Sequence, residues 1–237
     1  MTLANRLYND IVSDDLLASS PIDAAGLELR VALMLLQSDR GFREADNEFW
    51  KRKCRSLFLR PAIEPISSTY WEKYFPFNIN ESSALRMASA AAGRPLVYRK
   101  GPATGRSLNG DVNFRPLDAG GEWLAKIARA AKAPALRGAF PAYCFAQAIM
   151  THPFSDGNGR FARLMVHAAL AHCAGLAGPR MALAPAFYRR AEELASALTV
   201  LSEHGDWSVF NSVFFSTLDD ALTQTRALYS RLGRSAC

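Results

Sequence analysis

The sequence predicts a mainly all-α fold, a helical bundle that carries one small β-hairpin. Three observations predict it. Apolar residues recur at helical spacing over most of the chain, strand candidates are confined to residues 96–116, and glycine, proline and Asn-Gly signals punctuate the apolar runs. With 49% apolar and 21% charged residues among 237, the chain suits one large globular domain, or one domain with an elaborated end, and excludes extensive disorder.

Taken in order, residues 27–37 form the first helix candidate, with Leu29, Ala32, Leu33 and Leu36 on a core-facing side and Ser38-Asp39-Arg40-Gly41 as the stop. A second spans residues 46–59, before Pro61. Alanine-rich residues 82–92, closed by Gly93, make a third. Residues 1–90 read as a helical elaboration packed on the rest, and residues 91–237 as the main body. Leu96-Val97-Tyr98 and residues 112–114 are strand candidates that pair as a long-looped hairpin. The alternative pairs residues 106–108 with 111–113 about Asn109-Gly110. Further helices are expected over 122–132, 142–151 with Pro141 in the first turn, 158–173 and 186–201, and one or two over 207–232. Pro153 disfavours α geometry at its neighbour His152, so the helix before it stops near Thr151.

The formal net charge is +6. Lys and Arg are scattered, which argues for an ordinary basic surface and against nucleic acid as a partner. Cys54, Cys144, Cys173 and Cys237 show no CxxC pair and no histidines at zinc-site spacing. A reducing compartment is the simplest reading. Residues 1–17 lack the apolar core of a signal peptide, and no run of about 18 apolar residues would span a membrane. The expectation is a cytoplasmic protein, with delivery into a host cell by a route that needs no cleavable signal left open.

Most of the chemistry lies in one run, His152-Pro153-Phe154-Ser155-Asp156-Gly157-Asn158-Gly159-Arg160-Phe161-Ala162-Arg163. It ends a helix, turns through Gly-Asn-Gly and opens another helix whose N-terminus carries unpaired N–H groups and partial positive charge. At helical pitch Arg160, Arg163 and His167 share one stripe, while Phe161, Leu164, Met165 and Ala168 share another. Cations in a first turn oppose the macrodipole at about 0.3–1 kcal/mol each. A bound polyanion reverses that penalty; pairing with carboxylates elsewhere also relieves it. Asp156 reads as a helix N-cap or as a metal ligand, and His152 as a structural residue or a proton acceptor.

The run resembles the signature of Fic-domain enzymes, HxFx[DE]GNGRxxR, and matches it at every defined position. The resemblance covers residues 96–215 and implies a Fic-type helical bundle with a β-hairpin flap. It implies a nucleotidyltransferase: a protein adenylyltransferase that moves AMP from ATP to a Ser, Thr or Tyr hydroxyl. It implies His152 as general base, Asp156 as ligand to Mg²⁺, the backbone of Gly157, Asn158 and Gly159 as the anion cradle with Asn158 helping to orient the α-phosphate, and Arg160 and Arg163 on the outer phosphates. Tyr188, within Phe187-Tyr188-Arg189-Arg190, resembles the region lining the base pocket, although an aromatic core role fits it as well. The target protein would dock on the flap, residues 96–116, as an added strand.

The same scaffold also serves UMP or phosphocholine transfer and Doc-like phosphorylation, and a non-catalytic interaction module is a further alternative. Gly159 departs from Doc-like kinases, which usually carry lysine there. The family's inhibitory pattern, [ST]xxxE[GN], is absent: Ser68…Glu72-Lys73 and Thr199…Glu203-His204 both fail at the last position. That leaves room for a separate inhibitory protein.

Overall fold

The computed structural model describes residues 79–107, 110–114, 117, 121–174 and 181–234. The helices expected over 27–37 and 46–59, and with them most of the N-terminal elaboration, lie outside the described residues. Among the described residues there are seven α-helices, one 3₁₀ turn and one two-stranded antiparallel sheet. The expected all-α architecture with a small hairpin is the one formed.

Helix α1 (Glu81–Ala92) starts where the Asn80 side chain accepts the Ser83 N–H at 2.9 Å, and it ends at Gly93, which adopts φ 64 and donates back to the last turn. Strands β1 (Ala103–Ser107) and β2 (Gly110–Phe114) form the hairpin, with Ala103 opposite Phe114 and Ser107 opposite Gly110. This is the register about Asn109-Gly110, not the expected pairing of residues 96–98 with 112–114. Residues 97–99 instead run beside the motif loop: Ser155 N–H donates to the Val97 carbonyl and Arg99 N–H to the Pro153 carbonyl, both at 3.0 Å, around a Tyr98–Phe154 bridge. Extended backbone needs a partner, and the motif loop supplies one that local sequence does not announce.

Helices α2 (Glu122–Ala131) and α3 (Phe140–Thr151) lead into the loop, and α4 (Asn158–Ala174) leaves it. Residues 160–171 of α4 are buried throughout. This central helix lies against α3 and α1. The helix expected over 186–201 is two, α5 (Leu183–Arg189) and α6 (Ala191–His204). Pro185 did not delay the start of α5, because in a first turn its missing N–H would have no partner anyway. The break falls at Arg190, whose side chain is pinned by Asp220 at 2.6 Å and Glu193 at 3.0 Å. One continuous helix, α7 (Trp207–Arg234), follows and packs on α5, α6 and α3.

Two aromatic groups anchor the body. Phe145, Phe187, Phe210 and Phe214 stack and tilt against one another between α3, α5 and α7. Phe154, in the motif loop, contacts Tyr98 and Phe161, and Phe161 meets Trp123 edge-on. Phe154 and Phe161 are 1% and 0% exposed, so each contributes about 1.5–3 kcal/mol of apolar burial. The loop is thereby nailed to the core at its third residue, which leaves little freedom in where His152 and Asp156 stand.

Candidate active site

Helices α3 and α4 are joined by six residues, and the site is built on that connection. His152 is the C-cap of α3, at φ 47 and ψ 56. It is the one non-glycine residue with positive φ among those described, and such a conformation is costly for a residue with a Cβ. Arg99 holds it there. Its guanidinium donates from Nε to the His152 carbonyl at 2.7 Å, from Nη2 to the Thr151 carbonyl at 2.9 Å, and from Nη1 to the Gly101 carbonyl. A cation thus closes the carbonyl end of α3, where the macrodipole favours one.

The His152 imidazole is held below its ordinary pKa, first by burial and then by the Arg99 charge, with Asp156 acting weakly in the other direction. It is therefore neutral near pH 7, the state that accepts a proton. Its Nδ1 is buried with no hydrogen-bond partner, and the ring stacks on Phe114 of β2 at 4.1 Å and 21°.

Asp156 lies four residues on. It does not reach past the start of α4 as an N-cap does; its Oδ1 accepts the N–H of the next residue, Gly157, at 2.6 Å. Its Oδ2 meets Arg94 Nη2, just past the end of α1, and Arg160 Nη2 at 3.5 Å. Burial alone would raise its pKa. The Arg94 hydrogen bond, the Gly157 N–H and the Arg160 and Arg94 charges outweigh that and keep it ionised below the usual carboxylate range. The carboxylate remains about half exposed, and a hard cation bound there would take the place of Arg94.

Gly157 takes φ 73, and a Cβ there would press on Ala92 and Leu96 at 3.4 Å, so its glycine is required by the turn itself. Asn158 is 2% exposed. Its amide closes the loop on Phe154, accepting that residue's N–H and donating to its carbonyl, both at 2.9 Å. Its Oδ1 and one Nδ2 N–H are thus engaged with the backbone of the loop. Gly159 differs from Gly157: a Cβ there would meet only Arg163 Nη1, at 3.7 Å, an ordinary contact. Among the described residues nothing forbids a side chain at this position, and the space it leaves open lies beside a guanidinium at a helix N-terminus.

Arg160 and Arg163 are 8% and 7% exposed. His167, next on their stripe, is 3% exposed. Burial and the Arg163 charge push its pKa down to about 3. Tyr188 is half-buried on α5, whose main contacts are with α7 and α6.

Thus the structure brings His152, Asp156, Gly157, Asn158, Gly159 and Arg160 into one loop and first turn, with Arg163 beneath. Sequence reasoning missed Arg94, Arg99 and Phe114. No local signal marks the two arginines, since each acts on residues more than 50 positions away.

The chain is similar in structure to a Fic family protein from Desulfovibrio desulfuricans G20. Its crystal structure superposes with a TM-score of 0.61 at 17% identity, over 97% of this chain and 72% of that one. The fold is a Fic fold. No protein-family model matches the sequence, and no curated protein matches it, so the likeness resides in the three-dimensional arrangement and in the motif. Within the Fic fold seen here, the second candidate for an inhibitory glutamate, Glu203, lies exposed beside His204 at the end of α6. Thr199 in the same stretch bonds the Ala195 carbonyl of its own helix. The first candidate, Glu72, lies outside the described residues. No described helix is long and apolar enough to cross a membrane.

Proposed function

We propose that this chain is a protein adenylyltransferase, moving AMP from ATP to a Ser, Thr or Tyr hydroxyl of a target protein. The observation that carries the reading is the convergence, at the start of α4, of a neutral imidazole, an ionised carboxylate, an open glycine and two buried arginines. A solitary metal-binding carboxylate fits Mg²⁺, which keeps most of its coordination for water and substrate phosphates. No cluster of three or more His, Cys, Asp or Glu suited to a metal occurs among the described residues, and such an ion, bound by Asp156, would supply charge neutralisation on the phosphates.

The chain's own groups do the rest. His152 takes the proton as the hydroxyl oxygen bonds to the α-phosphorus of ATP. The bond from that phosphorus to the bridging oxygen breaks, and pyrophosphate leaves. The turn Gly157-Asn158-Gly159 at the positive end of α4 would cradle the phosphates through the N–H groups of Asn158 and Gly159, with the Gly157 N–H holding Asp156 and the Asn158 amide holding the loop in shape. Arg160 and Arg163 offset the charge that grows on the leaving group. This is catalysis by positioning and preorganised electrostatics. The hairpin, residues 103–114, would seat an extended target segment.

Incubating the full chain and a protein extract with ATP labelled at the α- or the γ-phosphate tests the reading. Label from the α position on protein is the expected result. Label from γ alone would make the chain a kinase, and no label from either would overturn ATP as the donor.

A further inference from the structure

Phe114 ends β2, opposite Ala103, and its ring lies flat on the His152 imidazole, with centroids 4.1 Å apart. The neighbouring strand is shaped to allow this. A Cβ at Gly105 would come within 2.9 Å of Phe114 Cε2, so a side chain there would force the ring to shift from its place. His152 is thus gripped at both ends. Arg99 fixes its carbonyl, and an aromatic ring from the hairpin covers its imidazole. The charged groups facing that imidazole are Arg99, from the segment beside the loop, and Asp156, from the loop itself.

We infer that Phe114 is a positioning residue for His152, and that Gly105 exists to admit its ring, so that the conformation of the hairpin sets the orientation of the base. This inference rests on His152 being the proton acceptor of the proposed reaction. Its physical content is that a side chain held in the left-handed region, with no hydrogen bond at Nδ1, has little else to fix its ring angle. Offset aromatic stacking supplies a preferred orientation. A hairpin that carries the target segment and also presses on the base would then align hydroxyl and acceptor together.

The test uses the full-length protein with ¹³C-labelled histidine. The His152 signal is identified as the one of four missing from His152→Ala. In the native protein its ring protons should show the upfield shift of a stacked phenyl ring. Phe114→Ala should abolish that shift, and Gly105→Ala, which displaces the ring without deleting it, should do the same. Phe114→Tyr should restore it. The kcat for AMP transfer should fall by about 10- to 100-fold in Phe114→Ala, the scale of a misplaced catalytic group, while KM for ATP stays put.

Unchanged His152 signals in Phe114→Ala would overturn the inference. So would a loss confined to KM for the target, since Phe114 would then be only a docking contact. Shifts that respond as expected in a protein with no transfer activity from ATP would uphold the contact and refute the proposed function instead.

Discussion

The two helix ends that face each other across the motif loop are built on opposite electrostatic principles. The C-terminus of α3 has a cation where the dipole favours one: Arg99 spans the Thr151 and His152 carbonyls. The N-terminus of α4 has cations where the dipole opposes them, at Arg160 and Arg163, both more than nine-tenths buried. The first end is complete within the chain. At the second, Asp156 stands beside Arg160 at 3.5 Å, and in the proposed reaction a bound polyanion would add negative charge that the dipole favours. The contrast separates a helix end that holds structure from the one where the proposed function puts its binding capacity. Four substitutions would break or sharpen it.

The largest effect is expected at the hinge between the two ends. His152→Ala leaves the Arg99 contacts to backbone, the α4 N-terminus and Asp156 intact. Transfer should fall by about 10²–10⁴-fold, the usual loss for a positioned general base, with ATP affinity and melting temperature near native. In the native protein the rate should fall as pH drops through the His152 pKa. That midpoint should lie on the acid side of an ordinary histidine, given the burial and the Arg99 charge. Loss of ATP binding and melting temperature together, with no separate chemical defect, would make His152 structural.

Arg163→Ala should weaken ATP binding by roughly 10- to 100-fold, the scale of a lost hydrogen bond to a charged group. AMP binding should change far less, because the proposed partner is an outer phosphate. Calorimetry with both nucleotides decides this, and equal losses would detach Arg163 from the outer phosphates.

Arg99→Ala should do the reverse at the opposite helix end. Denaturant unfolding should show a loss of about 1.5–3 kcal/mol from carbonyls deprived of a charged donor. The rise in melting temperature on adding ATP, which reflects binding to the native state, should survive in this variant and shrink in Arg163→Ala. If both variants lose it equally, the two helix ends are not separable in the way described.

Per pH unit, the smallest effect is on acid stability. His167 titrates near 3 in the folded protein and near 6.5 when unfolded. Between those values the unfolded chain binds more protons, so the stability His167 contributes is complete above about pH 6.5 and is lost as pH falls toward 3. The slope is at most about 1.4 kcal/mol per pH unit. His167→Gln should flatten that part of the pH–stability curve, measured by urea unfolding from pH 7 to pH 4. An unaltered slope would place the acid sensitivity elsewhere.

Much of the helical body was legible because its signals are local. Gly93 closes α1, Pro141 sits in the first turn of α3, and the spacing of Phe161, Leu164, Met165 and Ala168 marks the buried side of α4. The motif loop was legible for the same reason: His152, Asp156 and the Gly-Asn-Gly turn are within seven residues of one another, and a helix must stop before Pro153 and restart after the turn. The α5–α6 boundary was misread because the break at Arg190 depends on Asp220, thirty residues further along.

Sequence by itself therefore determined the class of fold and which side chains crowd the start of α4, since both follow from periodicity and helix-end chemistry over a few residues. Tertiary structure alone decided how those side chains are held. It paired residues 97–99 with the loop instead of the hairpin, brought Arg94 to Asp156 across 62 positions, placed Arg99 on the end of α3 and laid Phe114 over His152. Each of these contacts closes a long stretch of chain. An isolated arginine or phenylalanine has many comparable local environments, and only the packed body selects one of them.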